Sequence, residues 1–198
     1  MQTMETLTRN DLFSLEQYAA MRDGYRAEVM AHKKNRKVAI GPNATLYFED
    51  ATTVKYQIQE MLRIEKIFEA DGIQEELDTY NPMIPTGGNW KATFMLEYAD
   101  VPERQRMLAK LIGVEKMIWV EVDGFEKVHP IANEDLDRDT EDKTSSVHFL
   151  RFELTPEMVA AAKGGAAISM GIDHENYRHE TRPIPENVRA SLAGDLEG

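Results

Sequence analysis

The chain has 198 residues, of which 42% are hydrophobic and 29% charged, and its formal net charge is −12. These values are typical of a globular protein, and the acidity argues against general binding to nucleic acid or anionic membranes, because phosphate contacts need clustered cations. The chain has no cysteine, which excludes disulfides, thiol nucleophiles and cysteine-ligated metals. Since the sequence shows no signal-peptide pattern and no apolar run of about 20 residues, we expect a soluble, cytoplasmic protein.

The segment up to residue 90 predicts long helices and one hairpin. Ser14 with Gln17 is a capping signal that opens the first helix. Gly41-Pro42-Asn43 separates two strand-like runs, as in a hairpin. The predicted elements are a helix over 14–32, the strands KVAI and ATLYFED, a helix over 52–70, a short helix over 73–78 and an irregular connection over 80–90.

Residues 91–198 predict two strand–helix–strand units, which leave open an internal duplication. The strands are predicted over 91–99 and 117–123 in the first unit and over 147–154 and 166–173 in the second, with helices that begin at Pro102 and Pro156. We therefore expect an α+β fold, with a mainly antiparallel or mixed sheet packed against the N-terminal long helices. We expect a single compact domain over 1–198, with candidate sub-units 1–90 and 91–198.

The second long helix carries a carboxylate on its apolar stripe. At about 100° per residue, Glu65 lies near the centre of that stripe. A carboxylate there must be paired, hydrogen-bonded or protonated, because burial of an unpaired charge is costly. Glu65 is therefore predicted to be buried and is a candidate acid or base. The stripe itself is formed by Val54, Ile58, Met61, Leu62 and Phe68.

The strand over 147–154 carries the other candidate acid or base. Strand alternation places His148 on one face with Leu150 and Phe152, and Arg151 on the opposite face. A histidine on an apolar strand face is either a neutral core residue, a general base, or a ligand that acts with a carboxylate such as Glu65.

Polar residues on the strands form a first candidate binding surface. If the strands of the first unit are neighbours of the strand over 147–154, then Glu97, Trp119, Glu121 and Arg151 share one surface. That surface is either a platform for a polar ligand or a partner, or an ordinary solvated face with cross-strand ion pairs.

The second long helix and the connection after it form another candidate surface. Glu60 and Arg63 lie on the helix away from Glu65, and this helix is either held by ion pairs or lines a ligand pocket with the connection over 80–89. Taken together, the ligand-binding candidates are Glu60, Arg63, Tyr80, Asn81, Glu97, Trp119 and Arg151.

No metal site and no cofactor are predicted, although Asp173, His174 and His179 form a weaker alternative for a metal. Zinc-binding helices place histidines at i and i+4, whereas His174 and His179 are five residues apart. The acidic loop over 133–143 resembles a calcium loop, but Thr140 stands where glycine is required. That loop is predicted to be solvated.

Four strings of the sequence resemble a bacterial family classified as a domain of unknown function. They are HKKNRKVAIGPNATLYFED, QEMLRIEKIFEADGIQEELDTYNPMIP, NWKATFMLEY and EDKTSSVHFLRFELTPEM, within a resemblance over about 7–196. Genes of that family often lie beside genes for a rubrerythrin-like di-iron protein and an iron–sulfur oxidoreductase. The resemblance therefore implies a role near peroxide or iron-linked redox metabolism and a redox protein as partner. Its recurring positions, none with an assigned role, are Gln59–Glu65, Tyr80–Pro82, Thr93, Glu97, His148 and Arg151.

Two functional hypotheses follow. The first is a non-catalytic accessory protein that binds a small-molecule ligand or a redox-protein partner, which the lack of cysteine, of a cofactor motif and of a convincing metal set favours. The second is a small acid/base or metal-dependent enzyme that uses Glu65 or His148. Neither the ligand nor the oligomeric state follows from the sequence.

Overall fold

The computed structural model describes residues 6–198, which form six helices and eight strands. Within these residues no helix is both long enough and apolar enough to cross a membrane. The helices are α1 (Leu15–Lys33), α2 (Ala51–Glu65), α3 (Ala70–Tyr80), α4 (Val101–Lys110), α5 (Pro156–Lys163) and α6 (Glu186–Ala193). The strands are β1 (Lys37–Ile40), β2 (Ala44–Phe48), β3 (Asn89–Leu96), β4 (Ile118–Val122), β5 (Ile131–Ala132), β6 (Val147–Glu153), β7 (Ile168–His174) and β8 (Tyr177–Thr181).

The strands form two antiparallel sheets. The five-stranded sheet has the order β1-β2-β3-β6-β5, and the three-stranded sheet has the order β4-β7-β8. The hairpin is present where the sequence predicts it, since Ile40 pairs with Ala44 across a turn in which Gly41 has a φ of 71°. Helices together with antiparallel sheets make the fold α+β, which confirms the predicted class.

Each strand–helix–strand unit crosses from one sheet to the other. β3 precedes α4 and β4 in the chain, but β3 pairs with β6 whereas β4 pairs with β7. The strands over 91–99 and 117–123 are therefore not neighbours, although the first candidate binding surface required them to be. The physical reason is burial: β4 and β7 are buried on both faces along most of their length, so they need a layer of structure on each side.

Two hydrophobic clusters hold the chain together. The larger one joins the strands of both sheets to α5 and α6, and the buried Trp90 donates from Nε1 to Leu192 O over 2.9 Å. The smaller one lies among the N-terminal helices and consists of Val54, Ile58, Leu62, Leu77 and Ile84. The helices α1, α2 and α3 therefore have a core of their own beside the sheets.

Glu65 is exposed, so its predicted burial is wrong. The apolar stripe ends before Glu65 because α2 ends at that residue and Lys66 takes a left-handed conformation, with a φ of 55°. Ile67 N donates to Leu62 O over 2.9 Å, which closes the helix end as in a Schellman motif. Phe68, counted on the same stripe, is 73% exposed. Glu65 thus lies at a solvated helix end and is not supported as a catalytic residue.

Candidate functional site

A groove crosses the outer face of the five-stranded sheet. Its larger part has a volume of about 630 Å³ and lies between the end of α1, α2 and strands β2, β3 and β6. A neighbouring part of about 450 Å³ shares Glu49, Tyr80, Met83 and Phe149 with the first and continues to Arg151. We call the two parts together the sheet groove.

Strand alternation supplies the floor of the sheet groove. The odd-numbered residues of β2, β3 and β6 are mostly half-buried, while the even-numbered ones are buried in the main core. Tyr47, Thr93 and Phe149 form one row across the three strands. Met95 lies one step along β3, and Met83 lines the same cavity from the turn after α3. The groove is therefore lined largely by aromatic and thioether groups.

Glu49 places a carboxylate in this largely apolar floor. Thr93 Oγ1 donates to Glu49 Oε1 over 2.9 Å, and Thr53 Oγ1 donates to Glu49 Oε2. Two hydroxyl donors fix the orientation of the carboxylate and leave lone pairs that can accept a hydrogen bond from a ligand. Sequence reasoning missed Glu49, whose one signal is its position between the strand ATLYFED and the cap of α2.

Lysines line the end of the sheet groove that lies near α1. Lys33, Lys34 and Lys37 contribute to this end of the cavity, in a protein whose net charge is −12. Further along, Lys91 lines the smaller part and donates to Pro82 O over 2.7 Å. Burial lowers the pKa of Lys91. The larger part of the groove is therefore a local concentration of cationic groups on an acidic protein, whereas Asp78, Glu134 and Asp135 accompany Lys91 and Arg151 in the smaller part.

Arg151 and Tyr80 are the two predicted ligand-binding residues that line the sheet groove. Arg151 donates to Glu134 over 2.7 and 3.0 Å and to Glu153 over 2.5 Å, and these hydrogen bonds raise its pKa. The cross-strand ion pair expected between Arg151 and Glu97 or Glu121 does not form. Glu97 follows the far end of β3, and Glu121 belongs to the other sheet.

Glu60 and Asn81 have structural roles instead. Glu60 joins α2 to α1, since it accepts hydrogen bonds from Tyr18 Oη over 2.7 Å and from Arg22 Nε over 2.8 Å. Asn81 Oδ1 accepts from Leu7 N over 2.8 Å, and Asn81 Nδ2 donates to Leu7 O over 2.9 Å. Both side chains hold elements of the fold in place.

The remaining candidates lie elsewhere. Arg63 is exposed on α2, and exposed Glu97 accepts a hydrogen bond from Tyr47 Oη over 3.1 Å. Trp119 is 1% exposed on β4 and lies against the cationic groups of Lys127 and Arg182, at 4.2 and 5.3 Å from its ring. The surface expected to unite Glu97, Trp119, Glu121 and Arg151 therefore does not form, because β4 belongs to the three-stranded sheet.

Asp173, His174 and His179 do not converge on a metal position. In the described part of the chain, these three do not form a set of mutually close ligand atoms. Both ring nitrogens of His174 are engaged by backbone groups, at 3.0 and 3.1 Å. His179 lies against the Tyr177 ring, with 4.6 Å between centroids.

A buried cluster of Glu115, Asp139 and His148 lies on the inner side of β6. One ligand atom of each residue lies within 4.8 Å of those of the other two. Glu115 follows α4 and is 5% exposed, and His148 is 0% exposed. His148 faces the core as predicted, but its carboxylate neighbours are Glu115 and Asp139. Asp139 comes from the acidic loop, which is mostly exposed as predicted, although Asp139 itself is half-buried.

Hydrogen bonds fix the tautomer of His148. Asn133 Oδ1 accepts from Phe149 N over 3.0 Å, so its Nδ2 faces His148 Nδ1 and donates over 2.8 Å. The proton of neutral His148 therefore lies on Nε2, which donates to Ser145 O over 3.0 Å and is 2.9 Å from Thr144 Oγ1. Burial lowers the pKa of His148. The imidazole is thus held neutral.

The two carboxylates of the buried cluster differ in their hydrogen bonds. Asp139 accepts from the hydroxyl of Thr144 and from Gly113 N, the latter over 3.0 Å. Glu115 Oε2 is buried and has no hydrogen-bond partner. Burial raises the pKa of Glu115, and the negative charge of Asp139 adds to the effect. No spacing in the sequence signals this cluster, because its members come from three separate segments.

Comparison with known proteins identifies the family. The model of the family described as "Protein of unknown function (DUF3501)" matches residues 6–196. The chain belongs to this family. It is similar to a novel protein of unknown function from Burkholderia pseudomallei, whose crystal structure has 52% sequence identity and a TM-score of 0.92, with 98% of this chain and 100% of that chain covered. The comparison with curated proteins gives no match. The family supplies a fold and no activity, so function must be argued from the side chains.

Proposed function

We propose that this DUF3501 protein is a non-catalytic binding protein whose sheet groove holds a small organic anion with an apolar or aromatic body. One observation carries the proposal: lysines converge at one end of an apolar groove whose floor contains an oriented carboxylate.

The dimensions of the sheet groove suit a small molecule. Its larger part of about 630 Å³ falls within the range of roughly 300–1,000 Å³ found for small-molecule sites. Such sites combine apolar walls with a few fixed polar groups. Phe149, Met95 and Met83 supply the walls, and Glu49 with Thr93 supplies the fixed polar pair.

The charges of the groove indicate the ligand class. Lys34 and Lys37 are exposed at its edge and are available to an acidic group. Arg36, between them in the chain, is occupied by Asp195 in a buried ion pair. A carboxylate or phosphate at the lysines would leave the apolar part of the ligand over Met95 and Phe149.

An anionic aromatic probe, 8-anilinonaphthalene-1-sulfonate, tests the charge requirement. The double variant Lys34→Gln/Lys37→Gln should bind this probe roughly tenfold more weakly, because two exposed charge contacts contribute up to about 1 kcal/mol each. The control Lys66→Gln/Lys110→Gln removes the same charge from exposed lysines elsewhere and should leave the affinity unchanged.

A second pair of variants tests the position of the site. Met95→Trp would fill the groove, whereas Thr45→Trp places the same ring on the residue directly opposite, on the same sheet face but outside the cavity lining. Loss of probe binding in Met95→Trp alone supports the proposal. Equal effects of both substitutions, or of both lysine pairs, contradict it.

We extend the proposal to a redox-protein partner, on the strength of the gene neighbourhood that the family resemblance implies. The test is analytical ultracentrifugation of the purified chain with a rubrerythrin-like di-iron protein of the kind that the resemblance implies. A faster-sedimenting complex supports the partnership, and independent sedimentation of the two proteins contradicts it.

The positions of Glu65 and His148 give less support to the alternative of a small acid/base enzyme. A general base must reach the proton that it removes, directly or through a water molecule. His148 is fully buried, and Glu65 is an exposed residue at a helix end that does not line the sheet groove. The binding hypothesis is therefore the one we carry forward.

A further inference from the structure

We propose that the buried cluster of Glu115, Asp139 and His148 is a binding site for a divalent transition-metal ion of the Mn²⁺, Fe²⁺ or Zn²⁺ class. The site is separate from the sheet groove and independent of the function proposed for it. The three ligand atoms lie within 4.8 Å of one another. Ligands of one metal ion lie about 2.0–2.2 Å from it, so a small inward movement completes the site.

The first argument is an unused ligand atom. Glu115 is 5% exposed, and its Oε2 is buried without a hydrogen-bond partner. A buried oxygen of this kind carries a desolvation cost unless a donor or a cation meets it. Glu115 is brought beside Asp139 by the turn after α4, in which Gly113 N donates to Asp139 over 3.0 Å.

The second argument is charge. Among residues 6–198, neither Glu115 nor Asp139 has a lysine, arginine or histidine within salt-bridge distance. Glu115 is buried beside half-buried Asp139, and two neighbouring carboxylates with restricted access to water favour a shared proton or a bound cation. A divalent ion neutralises both carboxylates, so the metal-bound cluster has no net charge.

The third argument is the imidazole. His148 is held in its neutral form, which is the form that binds metals. Metal binding replaces the present hydrogen bond of one ring nitrogen. If Nδ1 binds the metal, Nε2 keeps its hydrogen bond to Ser145 O; if Nε2 binds it, the proton moves to Nδ1 and the Asn133 amide turns so that Oδ1 accepts it. A donor set of two carboxylates and one imidazole favours Mn²⁺, Fe²⁺ or Zn²⁺ over Ca²⁺, which takes oxygen ligands.

Thr144 completes the surroundings of the site. Its hydroxyl donates to Asp139 and lies 2.9 Å from His148 Nε2, and the residue is 1% exposed. This hydroxyl therefore occupies the space between two of the three ligands. In the metal-bound form it is either a further oxygen ligand or a hydrogen-bond donor to Asp139.

The test is calorimetric titration of the metal-free, full-length protein with Mn²⁺ and, separately, with Zn²⁺. The metal content of the protein is then measured after gel filtration. We expect one equivalent of metal and a rise in the thermal unfolding midpoint. Glu115→Gln should weaken binding by roughly tenfold or more. Because glutamine has the shape of the protonated acid, this variant should fold, and its circular dichroism spectrum checks that it does.

Three controls make the result specific. Asp137→Asn and Glu141→Gln remove exposed carboxylates from the same acidic loop, and His179→Ala removes an exposed histidine outside the cluster. All three should bind as the unchanged protein does. If no metal binds at millimolar concentration, or if Glu115→Gln binds as well as the controls, the proposal is overturned. His148→Gln gives a second variant with the same expected loss.

Discussion

Arg36 and Asp195, which are far apart in the chain, form a buried, bidentate ion pair. Arg36 Nη1 and Nη2 donate to the two carboxylate oxygens of Asp195 over 2.9 and 2.8 Å, and Arg36 is 2% exposed. The same guanidinium donates to the backbone oxygens of Phe48 and Glu49, at 3.2 and 2.9 Å. One side chain thus ties the end of α1 and the end of β2 to the C-terminal segment.

We expect Arg36→Ala to destabilise the protein by about 3–5 kcal/mol, because the substitution leaves the carboxylate of Asp195 buried without its partner. Arg151→Ala is the matched control. Arg151 also pairs with two carboxylates, but those are half exposed, so its loss should cost about 1 kcal/mol or less. Urea denaturation of both variants measures the difference, and equal costs would show that Arg36 is not an anchor.

A pair of glycine substitutions should have opposite signs. A Cβ built at Gly171 lies 2.3 Å from the Trp119 side chain, whereas a Cβ at Gly24 in α1 meets nothing within 4 Å. Gly171→Ala should therefore destabilise by about 1–3 kcal/mol or more through overpacking. Gly24→Ala should stabilise by about 0.5–1 kcal/mol through better helix propensity. Thermal and chemical unfolding check both signs.

The contribution of His148 to the stability of the metal-free protein should fall in mild acid. Burial lowers the pKa of folded His148 below its ordinary value of 6.5, so the unfolded chain takes up the proton first as the pH falls. The contribution of His148 to the free energy of unfolding therefore decreases below about pH 6.5, down to the folded pKa, with a slope of up to about 1.4 kcal/mol per pH unit. Glu115, whose pKa is raised by burial, contributes in the opposite direction.

Comparison with His148→Gln isolates this contribution. The difference in unfolding free energy between the unchanged protein and His148→Gln should shrink as the pH falls from about 7.5 to about 5.5, with chelator present throughout. A difference that stays constant over that range would mean that His148 is not responsible.

Substitutions of His148 at neutral pH should rank by charge. His148→Phe loses hydrogen bonds to Asn133 and Ser145, worth about 1 kcal/mol each. His148→Asp places a third carboxylate beside Glu115 and Asp139 and should cost several kcal/mol more. Urea denaturation gives the ranking, and a more stable aspartate variant would contradict the burial of His148 beside two carboxylates.

Local patterns predicted most elements of this fold but not its long-range arrangement. The capping signal at Ser14, the hairpin at Gly41 and the alternation around His148 are local, and each has its structural counterpart. The burial of Glu65 failed because the left-handed residue Lys66 ends α2, and lysine gives no signal for that conformation.

The prediction of candidate site residues was limited in the same way, because local patterns do not show which distant residues meet. Tyr80 and Arg151, which were predicted because polar residues stood out beside apolar ones, line the sheet groove. Glu49 and Glu115 were missed, and Asp139 was considered only as part of the calcium-like loop, because their significance comes from partners far away in the chain. The assignment of β4 and β7 to a second sheet also depends on pairing between distant segments, which a single sequence does not display.

Asn133 connects the two faces of β6 through a single amide group. Its oxygen accepts from Phe149, whose ring lines the sheet groove, and its nitrogen donates to His148 in the buried cluster. Any movement of this amide on metal binding must alter the support of the Phe149 backbone. If a groove ligand and a metal ion each shift Asn133, thermodynamic linkage requires each to change the affinity of the other by the same factor.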